Sequence, residues 1–290
     1  MNTFVNLFSP RSVVAVFAAG LLFLPLSGCD SSGGLDDDSV PVSAEETAES
    51  IAVSLGENTG GVASDLTDAA GLLTSGTKST FAKDITRSRE CTYDDSDEDW
   101  TCTFVIEGAR GRIDSLRVQR TVRAQFFDGM TVVRAPSKAD SMTYELKSGD
   151  GHLTTPRLDH SHTVVPSEWS IARQKADTYG IALLSKNAGR DVSGTLSGER
   201  RKRERTAEIR RTGTDDLLWE KGNGLIGGTV EGTYDATVTV TRQDDSTVSR
   251  EISLTYTATF SDGSITVSLE GGGERFNGET FEFDRDGLLL

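Results

Sequence analysis

The chain has 290 residues and carries 45 acidic against 30 basic side chains, a formal net charge of −15, which excludes nucleic acid or an anionic membrane surface as its principal partner, since both need a basic footprint. Asp supplies most of the acid and Arg most of the base, 22 Arg to 8 Lys, a balance that keeps a protein soluble at high salt and that a GC-rich genome would also produce. Thirty glycines with only 7% aromatic residues point to many turns around a modest core, in a chain long enough to bury one large β domain or two smaller ones.

The first 28 residues hold one charge, Arg11, and residues 12–26 are nearly all apolar. About 15 residues suit the apolar core of a signal peptide and fall short of the roughly 20 that span a bilayer. The run ends in Leu26-Ser27-Gly28-Cys29, which resembles, at each of its four positions, the lipobox of bacterial lipoproteins. The resemblance covers the first tenth of the chain. It implies cleavage before Cys29, acylation of that residue by palmitate-like chains, and a lipid-anchored place in the cell envelope, on the outer membrane at its periplasmic face or at the cell surface. Each buried methylene contributes about 0.8 kcal/mol, so several chains together make a stable anchor where one is marginal. An ordinary secretory peptide with a chance cysteine and an uncleaved short helix are the alternatives. Residues 29–42, with Ser31, Ser32, Gly33, Gly34 and three consecutive aspartates at 36–38, read as a flexible acidic tether.

Residues 43–84 read as a short helical segment. Ser43-Ala44-Glu45-Glu46 has the form of a capping box, and Ala48, Ile51, Ala52 and Leu55 recur at helical spacing. Gly60-Gly61 interrupts the pattern, and Leu66, Ala69, Ala70 and Leu73 resume it as far as Gly76. Next, Cys91 and Cys102 frame CTYDDSDEDWTC. In an exported chain such a pair forms a disulfide. Bridging them across an antiparallel hairpin sets Thr92 against Thr101, Tyr93 against Trp100 and Asp94 against Asp99, with an aromatic pair beside the bridge.

From there to residue 290 the period is two. Leu116, Val118, Val122, Ala124 and Phe126 alternate with polar residues, broken only by Arg120; so do Met142, Tyr144 and Leu146, then Tyr234 to Val240, Ile252 to Phe260, and Ile265, Val267 and Leu269. One buried and one wet face is the mark of antiparallel strands. Turn chemistry falls at Asp128-Gly129, Asp150-Gly151, Asp244-Asp245-Ser246, Asp262-Gly263 and Asp286-Gly287. The expected fold is mainly β: residues 85–290 form an antiparallel meander curled into a barrel, a half-barrel or a sandwich, with the short helical segment ahead of it. The Thr- and Arg-bearing wet face argues against a barrel embedded in lipid.

Candidate sites are sparse. Gly222, Gly224 and Gly227 match Gly-x-Gly-x-x-Gly, but a strand pattern follows where a dinucleotide fold needs a helix, so they read as a turn. Ser75-Gly76-Thr77-Lys78 lacks the companion motifs of the penicillin-binding enzymes. His160 and His162 point to one face of a strand and are weak metal candidates; Ser161 between them faces the other way, so the three cannot form a relay. Asp95, Asp97 and Asp99 alternate as calcium ligands would, without the glycine and distal glutamate of an EF-hand. Arg117, Arg120 and Arg123, in a run of arginines that also includes Arg110, Arg112 and Arg134, are candidates for an anionic ligand, as is the basic stretch 199–205; cross-strand pairing with the abundant acid is the plainer reading. No cofactor and no catalytic residue is assigned. The expected function is a non-enzymatic binding or structural role, with the membrane as partner through Cys29 and an envelope glycan, lipid or protein as further partner. A carrier holding a lipid or other apolar molecule in the concave face of the sheet is the alternative, and an envelope hydrolase the third reading.

Overall fold

The structure is a computed structural model that describes residues 42–74, 84–185, 187–198, 201–241 and 246–290. The lipobox, the tether up to residue 41, the Ser-x-x-Lys match and Asp244-Asp245 lie outside them. The described residues form one compact unit.

Two helices come first, α1 (Ala44–Leu55) and α2 (Val62–Leu73). The capping box forms as the sequence suggests: the Ser43 hydroxyl accepts from the Glu46 amide at 3.1 Å, and the Glu46 carboxylate accepts from the Ser43 amide at 3.4 Å. Fourteen strands follow in a single antiparallel sheet: β1 (Ile85–Asp94), β2 (Asp99–Arg110), β3 (Ile113–Asp128), β4 (Thr131–Val132), β5 (Ser141–Thr154), β6 (Leu158–Val165), β7 (Ser167–Lys175), β8 (Thr178–Leu183), β9 (Ala188–Gly198), β10 (Arg201–Glu220), β11 (Gly224–Thr241), β12 (Thr247–Ser261), β13 (Ser264–Gly271) and β14 (Thr280–Asp284). β1 to β3 and β9 to β14 each lie beside their neighbour in sequence, as expected of short hairpin connections, whereas β4 pairs only with β3.

The sheet has one interruption. β6 and β7 both pair with β5 in one continuous register, from Thr154↔Asp159 to Ser141↔Ala172, broken where Lys147–Gly149 faces Val164–Pro166. Pro166 has no amide hydrogen to give, and proline is accommodated in a sheet only at such breaks. On the next strand, residues 184–187 part β8 from β9, although both pair with β10. The result is a small ring of strands, β5-β6-β9-β10-β8-β7, around an interruption in pairing between the Val165↔Gly189 and Trp169↔Leu183 pairs.

The sheet curls around the helices. α1 lies against β13 and β14, and α2 against β5, β10 and β11, while side chains of β1, β3 and β9 also reach them. Residues 47–55 of α1 are buried without exception, and so is all of α2 but Gly71. A helix on a surface keeps a wet face; these have none. The segment expected to stand between tether and body is therefore the filling of the body. Its apolar stripe joins the inward residues of the sheet, including Val122, Phe126, Tyr144, Trp169, Tyr234, Leu254 and Val267, in one core.

Burying whole helices also buries their polar residues, and the sheet supplies the partners. Asp65 is ion-paired with Arg120 of β3 and, at 2.8 Å, with Arg190 of β9. Asp68 is paired with Arg120 at 2.9 Å and with Arg87 of β1 at 2.8 Å. Arg190 donates to the Gly60 carbonyl between the helices at 2.7 Å, Arg120 to Ser64 at 2.8 Å, and the Trp219 indole to Thr67 at 3.1 Å. At the mouth, Arg203 is paired with Glu46, and Arg205 donates to the Glu46 carbonyl at 3.4 Å.

The strand pattern holds through nearly every expected segment, with one correction. Asp150-Gly151 makes no turn: β5 runs straight through it, and the chain reverses at 155–157 instead. The glycine is needed for space. A Cβ on Gly151 would lie 2.3 Å from the His162 ring, which covers it from the neighbouring strand.

Replacing Asp65 by Ala leaves Arg120 and Arg190 buried without the carboxylate they share. Loss of one partner from such a network costs about 3–5 kcal/mol, and urea unfolding should show a lower midpoint at unchanged slope. Asp95→Ala, on an exposed pair with Arg134, should stay within about 0.5 kcal/mol of wild type.

Candidate functional site

The outer face of the sheet carries a groove of about 910 Å³ that crosses β3, β5, β6, β9, β10, β11 and β12. Strand register builds it in rows. Ser161, Ser193, Thr206, Thr237 and Glu251 stand side by side on successive strands; Thr163, Asp191, Glu208, Asp235 and Ser253 form the row next to them. Carboxylates predominate: Asp150, Asp191, Glu208, Asp235 and Glu251 against Arg117. Glu208 and Asp235 are direct cross-strand partners, a like-charge placement that costs a few tenths of a kcal/mol or more. Arg210 relieves it from one side, bonding Asp191 at 2.6 Å and Glu208 at 3.0 Å, and Ser253 donates to Asp235 at 2.6 Å.

At one end of the groove, His152 of β5 meets β6. Its Nδ1 lies 2.9 Å from the Ser161 hydroxyl and 3.7 Å from an Asp159 oxygen. Sequence reasoning looked for a base among the neighbours of Ser161 and missed His152, its partner across the hairpin. The group has the composition of a hydrolytic triad without its geometry. Serine and aspartate share one ring nitrogen, whereas a relay needs them on opposite nitrogens, and the imidazole is about half exposed.

His160 and His162 do share a face, as their spacing demands, and it is the buried one, with ring centroids 5.9 Å apart. Burial, reinforced by nearby arginine charge, pushes His160 down to about 3 and His162 well below the usual imidazole value. Both are neutral at physiological pH. Among the described residues no third His, Cys, Asp or Glu joins them in a group able to hold a metal ion.

Arg117, Arg120 and Arg123 are not brought together, because a strand's period of two forbids it. Arg120 faces inward onto Asp65 and Asp68. Arg117 and Arg123 face outward, the first 3.3 Å from Glu107, the second bonded to Asp97 at 3.0 Å and to Asp99. The aspartates considered for calcium are thus paired with arginine, Asp95 with Arg134 at 3.3 Å. Around them the hairpin has the register its cysteines imply. Cys91 and Cys102 are disulfide-bonded, Tyr93 lies opposite Trp100 with centroids 5.2 Å apart, and Asp94 lies opposite Asp99. The Gly-x-Gly-x-x-Gly match opens at the turn between β10 and β11 and leads into a strand.

Compared with family models, curated proteins and solved structures, the chain matches none.

The buried histidines set a pH dependence. Each stays neutral in the fold while its unfolded counterpart, near 6.5, takes a proton; the stability is present above that value and is lost as pH falls below it. Between about pH 7.5 and about pH 5.5 the loss is roughly 1 kcal/mol per histidine. Glu49, Glu57 and Asp68, raised by burial, act in the opposite sense, and comparison with His160→Leu cancels them. The variant's urea midpoint should fall less steeply across this window than that of wild type; parallel curves would free His160 of the effect.

Proposed function

We propose that the chain is a lipid-anchored protein of the bacterial cell envelope that binds a polar envelope component on the outer face of its sheet, without catalysis. The observation that carries the binding role is the division between the two faces. The concave face is occupied by α1 and α2, whereas the outer face keeps an open groove lined by carboxylates, hydroxyls and one imidazole. The anchor rests on the lipobox ending in Cys29, and the Cys91–Cys102 disulfide suits an oxidising compartment.

The groove revises the ligand expected from the arginines. Five carboxylates, two of them paired with Arg210, outnumber the guanidiniums of Arg117 and Arg210; they repel an anionic glycan and favour a neutral or cationic polyhydroxylated one, whose hydroxyls donate to carboxylates and exchange hydrogen bonds with Ser and Thr. A carrier would need the space that the helices fill. A hydrolase would need a base that reaches Ser161 and its orienting carboxylate through different nitrogens.

Two measurements test the reading. The protein should incorporate labelled palmitate and fractionate with membranes, and Cys29→Ser should abolish the first and release the protein from the second; unchanged fractionation would remove the anchor. Native mass spectrometry of the purified chain should give the polypeptide with only its own acyl chains. A stoichiometric lipid in addition would replace the binder by the carrier.

A further inference from the structure

Around Arg190 and Arg211 the interior holds more positive charge than the carboxylates beside them match. Asp65 and Asp68 serve Arg87, Arg120 and Arg190 between them. Arg211 of β10, 2% exposed, has no carboxylate within ion-pairing distance among the described residues. Its guanidinium lies over the Trp169 ring at 5.4 Å. Stacking of that kind uses the flat face of the group and leaves the in-plane donors unsatisfied. Nε and Nη2 of Arg211 are buried without a hydrogen-bond partner, as are Nε and Nη1 of Arg190 and the hydroxyl of Tyr144.

Register gathers these groups. Arg190 is paired with Ile209 and Arg211 with Ala188, so the two arginines are diagonal neighbours on the inner face of adjacent strands. Tyr144 is the cross-strand partner of Trp169. On the other side Arg211 faces Gly232, whose own partner is Tyr256. A Cβ on Gly232 would come within 2.5 Å of the Tyr256 hydroxyl; the glycine lets that phenol lean across β11 toward β10, where it reaches the Arg210 carbonyl at 3.5 Å. Arg211 lies beside the interruption in pairing, since Ala188 and Trp169 are on its margins.

Every unsatisfied nitrogen here is a donor, and arginine has no acceptor to offer its neighbour. Burial pushes Arg211 down only to about 9 and Arg190 to about 10, so both are cations at neutral pH. Two adjacent guanidiniums in a low-dielectric interior, one without a counter-charge, cost several kcal/mol. Water would supply acceptors but no charge. We propose that Arg211 and Arg190 together bind, between their guanidiniums, a small inorganic anion of halide size.

The test uses the full-length protein in detergent, exchanged into sodium gluconate and titrated with sodium chloride at constant ionic strength while thermal unfolding is followed. The midpoint should rise by on the order of 5 °C and saturate, as expected of a ligand that binds only the folded state. Arg211→Met, which keeps the length of the side chain and removes its charge, should unfold independently of chloride. A flat wild-type titration, or a folded Arg211→Met with the wild-type response, would overturn the site. If Arg211→Met does not fold, bromide-soaked crystals of the wild-type protein decide: an anomalous peak within hydrogen-bonding reach of Arg211 Nε supports the site, and its absence there rejects it.

Discussion

The fold depends on one buried carboxylate. Asp65 receives guanidiniums from β3 and β9, strands separated in the sheet by β5 and β6. A helix residue that bonds two such strands at once can do so only if the sheet bends far enough to bring both toward the helix axis. Curvature, hairpin position and core are therefore tied together at that side chain. Asp68 extends the tie to β1, and the Gly60 carbonyl adds the inter-helix loop. None of these bonds favours the fold by much against water, because desolvating the ions takes back most of what the pairing returns. Their effect is on geometry. Apolar contact alone would let the hairpin slide along the sheet, and a shared carboxylate does not.

The same interaction explains which parts of the fold could be read in advance. Helices and strands follow from local periodicity, which tertiary structure leaves intact: the capping box at Ser43, the alternation through Ile252–Phe260, and the disulfide that sets the register of β1 on β2 all depend on residues near one another in the chain. Arg120 marks where such reading stops. As a break in an otherwise apolar face it looks like a surface arginine with a candidate ligand, because its partners lie more than 50 residues away on a helix. The place of the helical segment is hidden for a related reason: nothing near it in the chain reveals that arginines on three strands will meet its carboxylates.

A second failure traces to a glycine. Asp150-Gly151 has the composition of a hairpin tip, yet the chain needs Gly151 so that the His162 ring can lie across β5. Taking those residues for a turn also concealed the neighbour of Ser161. With the reversal at 155–157, His152 falls opposite Ser161, and an acid, base and hydroxyl spread over ten residues of chain appear together on the outer face. A proline at 156 between two alternating runs was the available signal, and Asp-Gly outweighed it.

The distribution of charge distinguishes the two faces of the sheet. The chain is acidic overall, yet its three most deeply buried charged residues on the sheet, Arg120, Arg190 and Arg211, are all cations. Acid is left to the surface, where it lines the groove and repels like molecules, and to the helix that enters the concavity. Alternation within a strand makes the separation possible, since Asp191 on β9 and Glu208 on β10 face outward while Arg190 and Arg211, one and three residues away, face in. β9 and β10 thus each present a carboxylate to solvent and a guanidinium to the interior. Asp65 and Asp68 carry the matching charge into the concavity on α2, while the carboxylates of the sheet itself gather along the groove on its outer face.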